Sequence, residues 1–405
     1  MLKKIMGLCL VLFIFYFDTA DCEIISEKHI TQLSGSFVPY SLTKSPDSKS
    51  VAFVNQVGKK QCVIVDGKEG KQYDLILEIT YTKARVNPTT SVIIKTQVGD
   101  HIKFSPDSQR IAYKARVDMK WCVVIDGKEE WGYGDIDLHT LIFSPDSKRV
   151  AYIVDDGKKW CVVIDGKEEK KYDDMDKDSL VFSPDSKRVA YVVHDGKNWC
   201  AVIDGKEEKG YDGILKGTLI FSPDSKRVAY VVRVGNKWCA VIDGKEGKKY
   251  DYIDKGSLIF SPDSQRIAYK AKVGMKWCVV IDRKEEKEYD GILAGTLTFS
   301  PDSKRVAYVV DNGKNWCAVI DGKEGKGYDD IDKGSLIFSP DSQRVAYVVR
   351  VGKKVCVVID GKEEKEYNGI IAGTLTFSPD SKRVAYVAFQ ASFIFNERVK
   401  SPFDF

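Results

Sequence analysis

Three kinds of side chain in this sequence have chemistry to offer, and all three recur at fixed spacing. The tetrapeptide Ser-Pro-Asp-Ser begins at Ser45, Ser105, Ser144, Ser183, Ser222, Ser261, Ser300, Ser339 and Ser378, which places nine aspartates in one local context. Carboxylates in such numbers suggest acid–base work or calcium binding. The second series is Cys62, Cys122, Cys161, Cys200, Cys239, Cys278, Cys317 and Cys356; with Cys9 and Cys22 it accounts for all ten cysteines. In an exported chain such a set suggests disulfides. The third is Trp121, Trp160, Trp199, Trp238, Trp277 and Trp316, each directly before its cysteine, an arrangement that suggests an aromatic cage.

Repetition argues against all three chemistries. Proline presets φ in the Ser-Pro-Asp-Ser turn and aspartate bonds its own backbone there, so backbone geometry requires the residue nine times over. A single active site has no use for nine copies. Equivalent cysteines in stacked sheets stand roughly 10 Å apart, beyond the about 7 Å that a disulfide can bridge. They therefore read as buried small hydrophobes, and without a C-x-x-C pair they are too dispersed for a metal. The tryptophans point to the opposite strand face and read as packing between sheets. Gly-x-Ser-x-Gly, His-Glu-x-x-His and phosphate-cradling glycine loops are all missing. His29, His101, His139 and His194 fall in different repeats, too scattered for a histidine-based centre. The expectation is no catalytic residue, no cofactor and no metal.

The elements that position these residues follow from the period. From Ser105 onward each step is 39 residues; the first step is 60, so about 21 residues are inserted within 78–100. In the repeat Gly256–Ala294, Ser257-Leu-Ile-Phe260 is a first strand closed by the Ser261-Pro-Asp-Ser264 turn. Arg266–Lys272 is a second strand, Trp277–Ile281 a third, and the segment around Tyr289 a fourth. Most third strands end in Ile-Asp-Gly-Lys, the hairpin signal of a primed turn. The second and third strands are apolar on both faces, so each sheet must be covered on both sides. Radial stacking of four-stranded antiparallel sheets meets that demand, which predicts an all-β fold, a β-propeller. Repeat count gives nine blades, or eight if a terminal unit lies outside the ring. Glu23–Leu33 is the candidate strand for closing the ring against the ninth unit, whose own third strand would lie in Ser392–Val399. The first strands, reading Thr-Leu-Ile-Phe or Ser-Leu-Ile-Phe, are expected to be uniform.

Phrases such as Phe221-Ser-Pro-Asp-Ser-Lys-Arg-Val-Ala-Tyr-Val resemble the WD-type propeller repeat, in particular the TolB-like branch of exported bacterial propellers, over residues 37–390. The resemblance implies the propeller fold and a bacterial source, and is silent on function, since that repeat serves many tasks. The Gly-His and Trp-Asp pairs of the eukaryotic pattern are missing, and Ile-Asp-Gly ends the third strand instead.

Lys3 and Lys4 precede an apolar run from Ile5 to Phe17 and the small residues Thr19 and Ala20, the pattern of a signal peptide over 1–21. Cys22 follows at a place where lipidation is conceivable, the one expected route to a membrane. Residues 22–36 form an N-terminal segment, 37–399 the propeller and 400–405 a tail. Basic and acidic residues, 63 against 59, alternate along the chain, so a nucleic-acid partner is not indicated. Function is expected where the copies differ. The insertion Ile79–Gln97 carries Lys83, Arg85 and Asn87 and reads as a protruding hairpin or, equally, as a decorated loop or an outer strand of the first blade. Trp131 stands where the other repeats have Lys, a candidate exposed contact. Arg283 replaces the hairpin glycine of the seven other units. The reading is an exported, non-catalytic propeller that binds or scaffolds a protein or cell-envelope partner; the alternative is a hydrolase or lyase, or its accessory domain, with a site in the central channel.

Overall fold

Dense β-branched and aromatic residues between turn signals leave the chain few alternatives to strands, and strands are what it forms. The computed structural model describes residues 37–38, 41–76, 80–85, 91–96 and 102–390, with no helix among them. In the sixth repeat, Tyr252–Ile253 and Ile259–Phe260 both pair with Ile267–Val273, which pairs with Lys276–Ile281, which pairs with Lys284–Glu285. All pairings are antiparallel, so the order in space is the order in sequence. This is the four-stranded blade of a β-propeller.

The chain divides into two compact units, Met1–Gly210 and Tyr211–Phe405. The first contains four such sheets, and the second four more together with the start of a ninth. Among the described residues that ninth repeat shows its first and second strands, Gly369–Ile370 with Ala388–Phe389 and Thr376–Phe377 with Val384–Ala385. Glu23–Leu33 and Ser392–Val399, the candidate strands for ring closure and for the ninth sheet, lie outside the described residues, as do the signal peptide and Cys22.

The turns follow the local chemistry. Asp243 and Gly244 have φ of 51° and 73°, the two positive values that a type I′ hairpin requires; Arg283 takes φ 69° in the glycine's place. In the Ser-Pro-Asp-Ser turn, Ser261 Oγ donates to Asp263 Oδ1 (2.5 Å), and Asp263 Oδ1 also accepts the Gln265 N–H. The Ser264 hydroxyl then accepts the Asp263-equivalent N–H of the preceding sheet, from Asp224 (2.9 Å). The arginine after the turn staples three elements. Arg266 Nε reaches Asp282 Oδ2 of its own hairpin (2.8 Å), its Nη1 donates to the Ser303 and Lys304 carbonyls of the next sheet, and its guanidinium lies 5.3 Å from the Phe299 ring centroid. The repeated carboxylates are therefore occupied by turns and staples.

The Ser261 hydroxyl, followed by the Gln265 N–H, holds the Asp263 carboxyl below its usual range, and the same direction holds at Asp47, Asp107, Asp146, Asp224 and Asp302. A depressed folded-state pKa adds stability that is fully present above the unfolded value, about 3.9, and is lost as pH falls through the folded values. Thermal melts are expected to be nearly flat from about pH 5 to 8 and to drop steeply below about pH 4. A melting temperature unchanged down to pH 2.5 would contradict this account of the turns.

The first strand departs from the sequence reading. It starts earlier than Ser257, at Tyr252, and its two halves are separated by Asp254-Lys-Gly-Ser257. Gly256 takes φ 82° there. Ser257 Oγ donates to the Asp254 carbonyl (2.7 Å) and accepts the Lys270 N–H (3.0 Å), so the hydroxyl replaces a ladder bond that the bulge interrupts. The expected uniformity of Thr-Leu-Ile-Phe therefore holds only for the second half of this strand. The first half, and the bulge after it, vary from sheet to sheet.

The two apolar faces meet the neighbouring sheets. Between the fifth and sixth sheets, Ala229, Val231, Ala240 and Ile242 pack against Ile267, Tyr269, Ala271, Cys278 and Val280. Small residues on one sheet make room for the tyrosine of the next, and Tyr269 also meets Tyr250 of the outer strand edge-on, centroids 6.2 Å apart.

Candidate functional site

Sheet-building residues are the same in every copy, so positions that break the repeat are the ones free to bind. Along the first half of the first strand these positions hold Asp135 and Asp137 in the third sheet and Asp174, Asp176 and Lys177 in the fourth. Two lysines also stand in the second strand, where other sheets have Val or Ile: Lys114 in the second sheet and Lys270 in the sixth.

These residues assemble a recurring motif in which an ammonium sits between a carboxylate and the indole before the cysteine. Lys177 Nζ lies 2.9 Å from Asp137 and 4.2 Å from the Trp160 ring centroid. Lys114 pairs with Asp135, donates to the Ile136 carbonyl (2.8 Å) and lies 3.8 Å from the Trp121 centroid. Lys270, buried, lies 2.7 Å from Asp254, donates to the Ile292 carbonyl (3.1 Å) and stands 5.6 Å from the Trp277 centroid. Cation–π attraction and a desolvated ion pair favour the same placement. His139 lies nearby on the first strand, where its N–H bonds Asp137 Oδ1 (3.1 Å). The lysines and carboxylates of this motif neutralise one another, which makes it an adhesive between successive sheets. Among the described residues, no group of three or more His, Cys, Asp or Glu is placed to hold a metal, and no helix is long and apolar enough to cross a membrane.

The insertion is a separate two-stranded sheet: Thr80–Arg85 pairs antiparallel with Ser91–Thr96. It is thus a hairpin and not an outer strand of the first blade, whose fourth strand is Lys68–Tyr73. Lys83 and Arg85 lie on its first strand, opposite Ile93 and Ser91, while Asn87 lies outside the described residues. Trp131 is on the fourth strand of its sheet, backbone-paired with Cys122 at a point where the register shifts. The structure does not bring Trp131 and the hairpin residues into one described contact.

The cysteines are placed one to an interface. Cys122, Cys161, Cys200, Cys278, Cys317 and Cys356 each belong to a different apolar cluster between sheets, and all eight from Cys62 to Cys356 are buried thiols outside any disulfide. Burial pushes the Cys122 thiol up to about 12 and those of Cys161, Cys200 and Cys278 to about 11. A thiolate is the reactive form. A thiol-reactive dye at pH 8 is therefore expected to label none of the eight in the folded protein and all eight in denaturant; rapid labelling of the folded chain would refute this placement. The tryptophans lie on the other face and pack into the next sheet's cluster, as Trp238 does beside Ile253 and Leu258.

Two groups were not singled out from sequence. Lys114 and Lys270 were visible only as the exceptions in an otherwise apolar column. Val355, which stands in the column of Trp121 to Trp316, was visible as a missing tryptophan.

No protein-family model matches the chain, and no curated protein matches it. Solved structures similar to it are propellers. TolB from Acinetobacter baumannii is 17% identical with 77% of each chain covered and a TM-score of 0.27. The Dos1 propeller is 12% identical, covering 80% of this chain and 93% of that one, with a TM-score of 0.33. The dihydro-heme d1 dehydrogenase NirN in complex with DHE is 14% identical, covering 82% and 73%, also with a TM-score of 0.33. Such likenesses concern fold alone and transfer no activity, since fold does not imply function.

Proposed function

We propose that this chain is an exported, non-catalytic β-propeller that acts as a protein-binding or scaffold module in the cell envelope. The observation that carries the reading is the Thr80–Arg85/Ser91–Thr96 hairpin, whose strands, among the described residues, pair with each other and with no blade. A two-stranded hairpin alone is marginal in water, and a free one beside a rigid scaffold is suited to gaining order on a partner. Lys83 and Arg85 give it cationic contacts, and Asn87 and Trp131 are further candidate contacts. Export rests on the Lys3–Ala20 pattern, and membrane attachment on lipidation at Cys22.

The catalytic alternative would need a nucleophile beside a base. Asp135 and Asp137 on the first strand of the third sheet instead pair with Lys114 and with Lys177 of the fourth, which supports the non-catalytic reading. The test is an affinity capture from envelope extract with the mature chain and with a version lacking Ile79–Gln97. A partner retained by the intact chain and lost with the hairpin supports the proposal. Equal retention by both versions removes the hairpin from it, and if neither retains anything, hydrolysis of peptides and sugars becomes the reading to assay.

A further inference from the structure

The eighth sheet breaks the ammonium–carboxylate–indole motif in a way that leaves a ligand-shaped space. Its third strand carries Val355 where Trp121, Trp160, Trp199, Trp238, Trp277 and Trp316 stand in the six preceding sheets. Its second strand carries Val348, the apolar residue usual in that column, and not a lysine like Lys114 or Lys270, and the ninth repeat's first-strand segment carries Ala372 at the place of Lys177. Gly369 occupies the position of Tyr252, and the Phe389 ring of the ninth repeat lies against it. An indole and an ammonium are thus both lacking beside the carboxylates, and the open place is the one at Val355 and Ala372.

The carboxylates remain. Asp330 and Asp332 match Asp135 and Asp137 in the third sheet, the partners of Lys114 and Lys177. With Val348, Val355, Ile370 and Ala372 they line a cleft of about 260 Å³ between the eighth sheet and the ninth repeat. A cavity of roughly 150 Å³ already takes up benzene, so the space admits a bicyclic ring. Arg350 and Asn368 complete the rim: Arg350 Nε is 4.0 Å from Asp330 Oδ2, and Asn368 Oδ1 accepts from Lys354 Nζ. Asp332, equivalent to the Asp254 that pairs with Lys270, has no ion-pair partner among the described residues.

We propose that this cleft binds a small aromatic amine, its ring in the space that a tryptophan fills in the sibling sheets and its ammonium on Asp332. The ligand would supply from outside the two groups that the neighbouring motifs carry in their own sequence. Apolar contact along Val348, Val355 and Ile370 gives affinity, and the carboxylate selects the cation over an anion of the same ring. The inference stands independently of the hairpin and its partner.

The test is isothermal titration of the mature chain with tryptamine, beside indole-3-acetate as the anionic counterpart. Tryptamine is expected to bind at least about tenfold more tightly than indole-3-acetate, a difference of about 1.4 kcal/mol. Val355→Trp restores the sibling indole; it is expected to weaken tryptamine binding at least about tenfold with an unchanged or higher melting temperature. Asp332→Asn, an exposed and conservative change, is expected to keep the fold and to erase most of the preference for amine over acid. The proposal is overturned if tryptamine does not bind at millimolar concentration, if both indoles bind alike, or if Asp332→Asn leaves the preference intact. Should Val355→Trp fail to fold, Asp332→Asn decides alone.

Discussion

Replacing Asp254 with leucine is expected to destabilise the protein by about 3 kcal/mol, although leucine is the residue found at the same position in the adjacent repeats. The reason is Lys270. Its side chain is 5% exposed and, among the described residues, its ion-pair partner is Asp254, at 2.7 Å. Removing that carboxylate leaves an ammonium in the sheet interface with only the Ile292 carbonyl and an indole face to hold it, and breaking one side of a buried pair costs roughly 3–5 kcal/mol. The reverse change, Lys270→Val, leaves Asp254 partly solvated and is expected to cost under about 1 kcal/mol. The double variant should approach wild type, because Leu215 with Val231 and Leu293 with Val309 fill these positions in the fifth and seventh sheets. A double-mutant cycle by denaturant unfolding should yield a coupling of about 3 to 4 kcal/mol. Additive single effects would show that the pair is not coupled as the geometry requires.

Truncating a fully buried tyrosine should cost more than the same change at the half-buried tyrosine of the ninth repeat. Tyr269 is 1% exposed and packs against Ala229, Val231 and Ala240 of the preceding sheet. Tyr269→Ala is expected to cost about 3–5 kcal/mol, as for other large-to-small core changes. Tyr386 occupies the equivalent position in the ninth repeat, meets Tyr367 at 5.9 Å and is only half-buried. Tyr386→Ala should cost less than half as much, since a half-buried ring has less burial and packing to lose on truncation. Equal losses at the two sites in melts of the two variants would contradict this dependence on burial.

How much of this was legible before any coordinates follows from the range of each interaction. The Ser-Pro-Asp-Ser turn and the Asp-Gly hairpin are closed by bonds within a few residues, so Asp263 and Asp243 announced their roles locally. The first strand was misjudged because its bulge is satisfied by Ser257 bonding Lys270, 13 residues away. The candidate contacts divide in the same way. The break in the period located the insertion that carries Lys83 and Arg85 but left its form open, and nothing local indicated whether its two strands would pair with each other or join a blade.

The sequence by itself determined the repeat, the strand order, the turns and the two-faced apolar character of each sheet, because period, φ preference and side-chain alternation are properties of neighbouring residues. Only the tertiary fold set Lys270 against Asp254 and opened a cleft at Val355 beside Asp332. Those outcomes depend on which face of which strand lies opposite, and a packing partner distant along the chain has no signature in the residue that meets it.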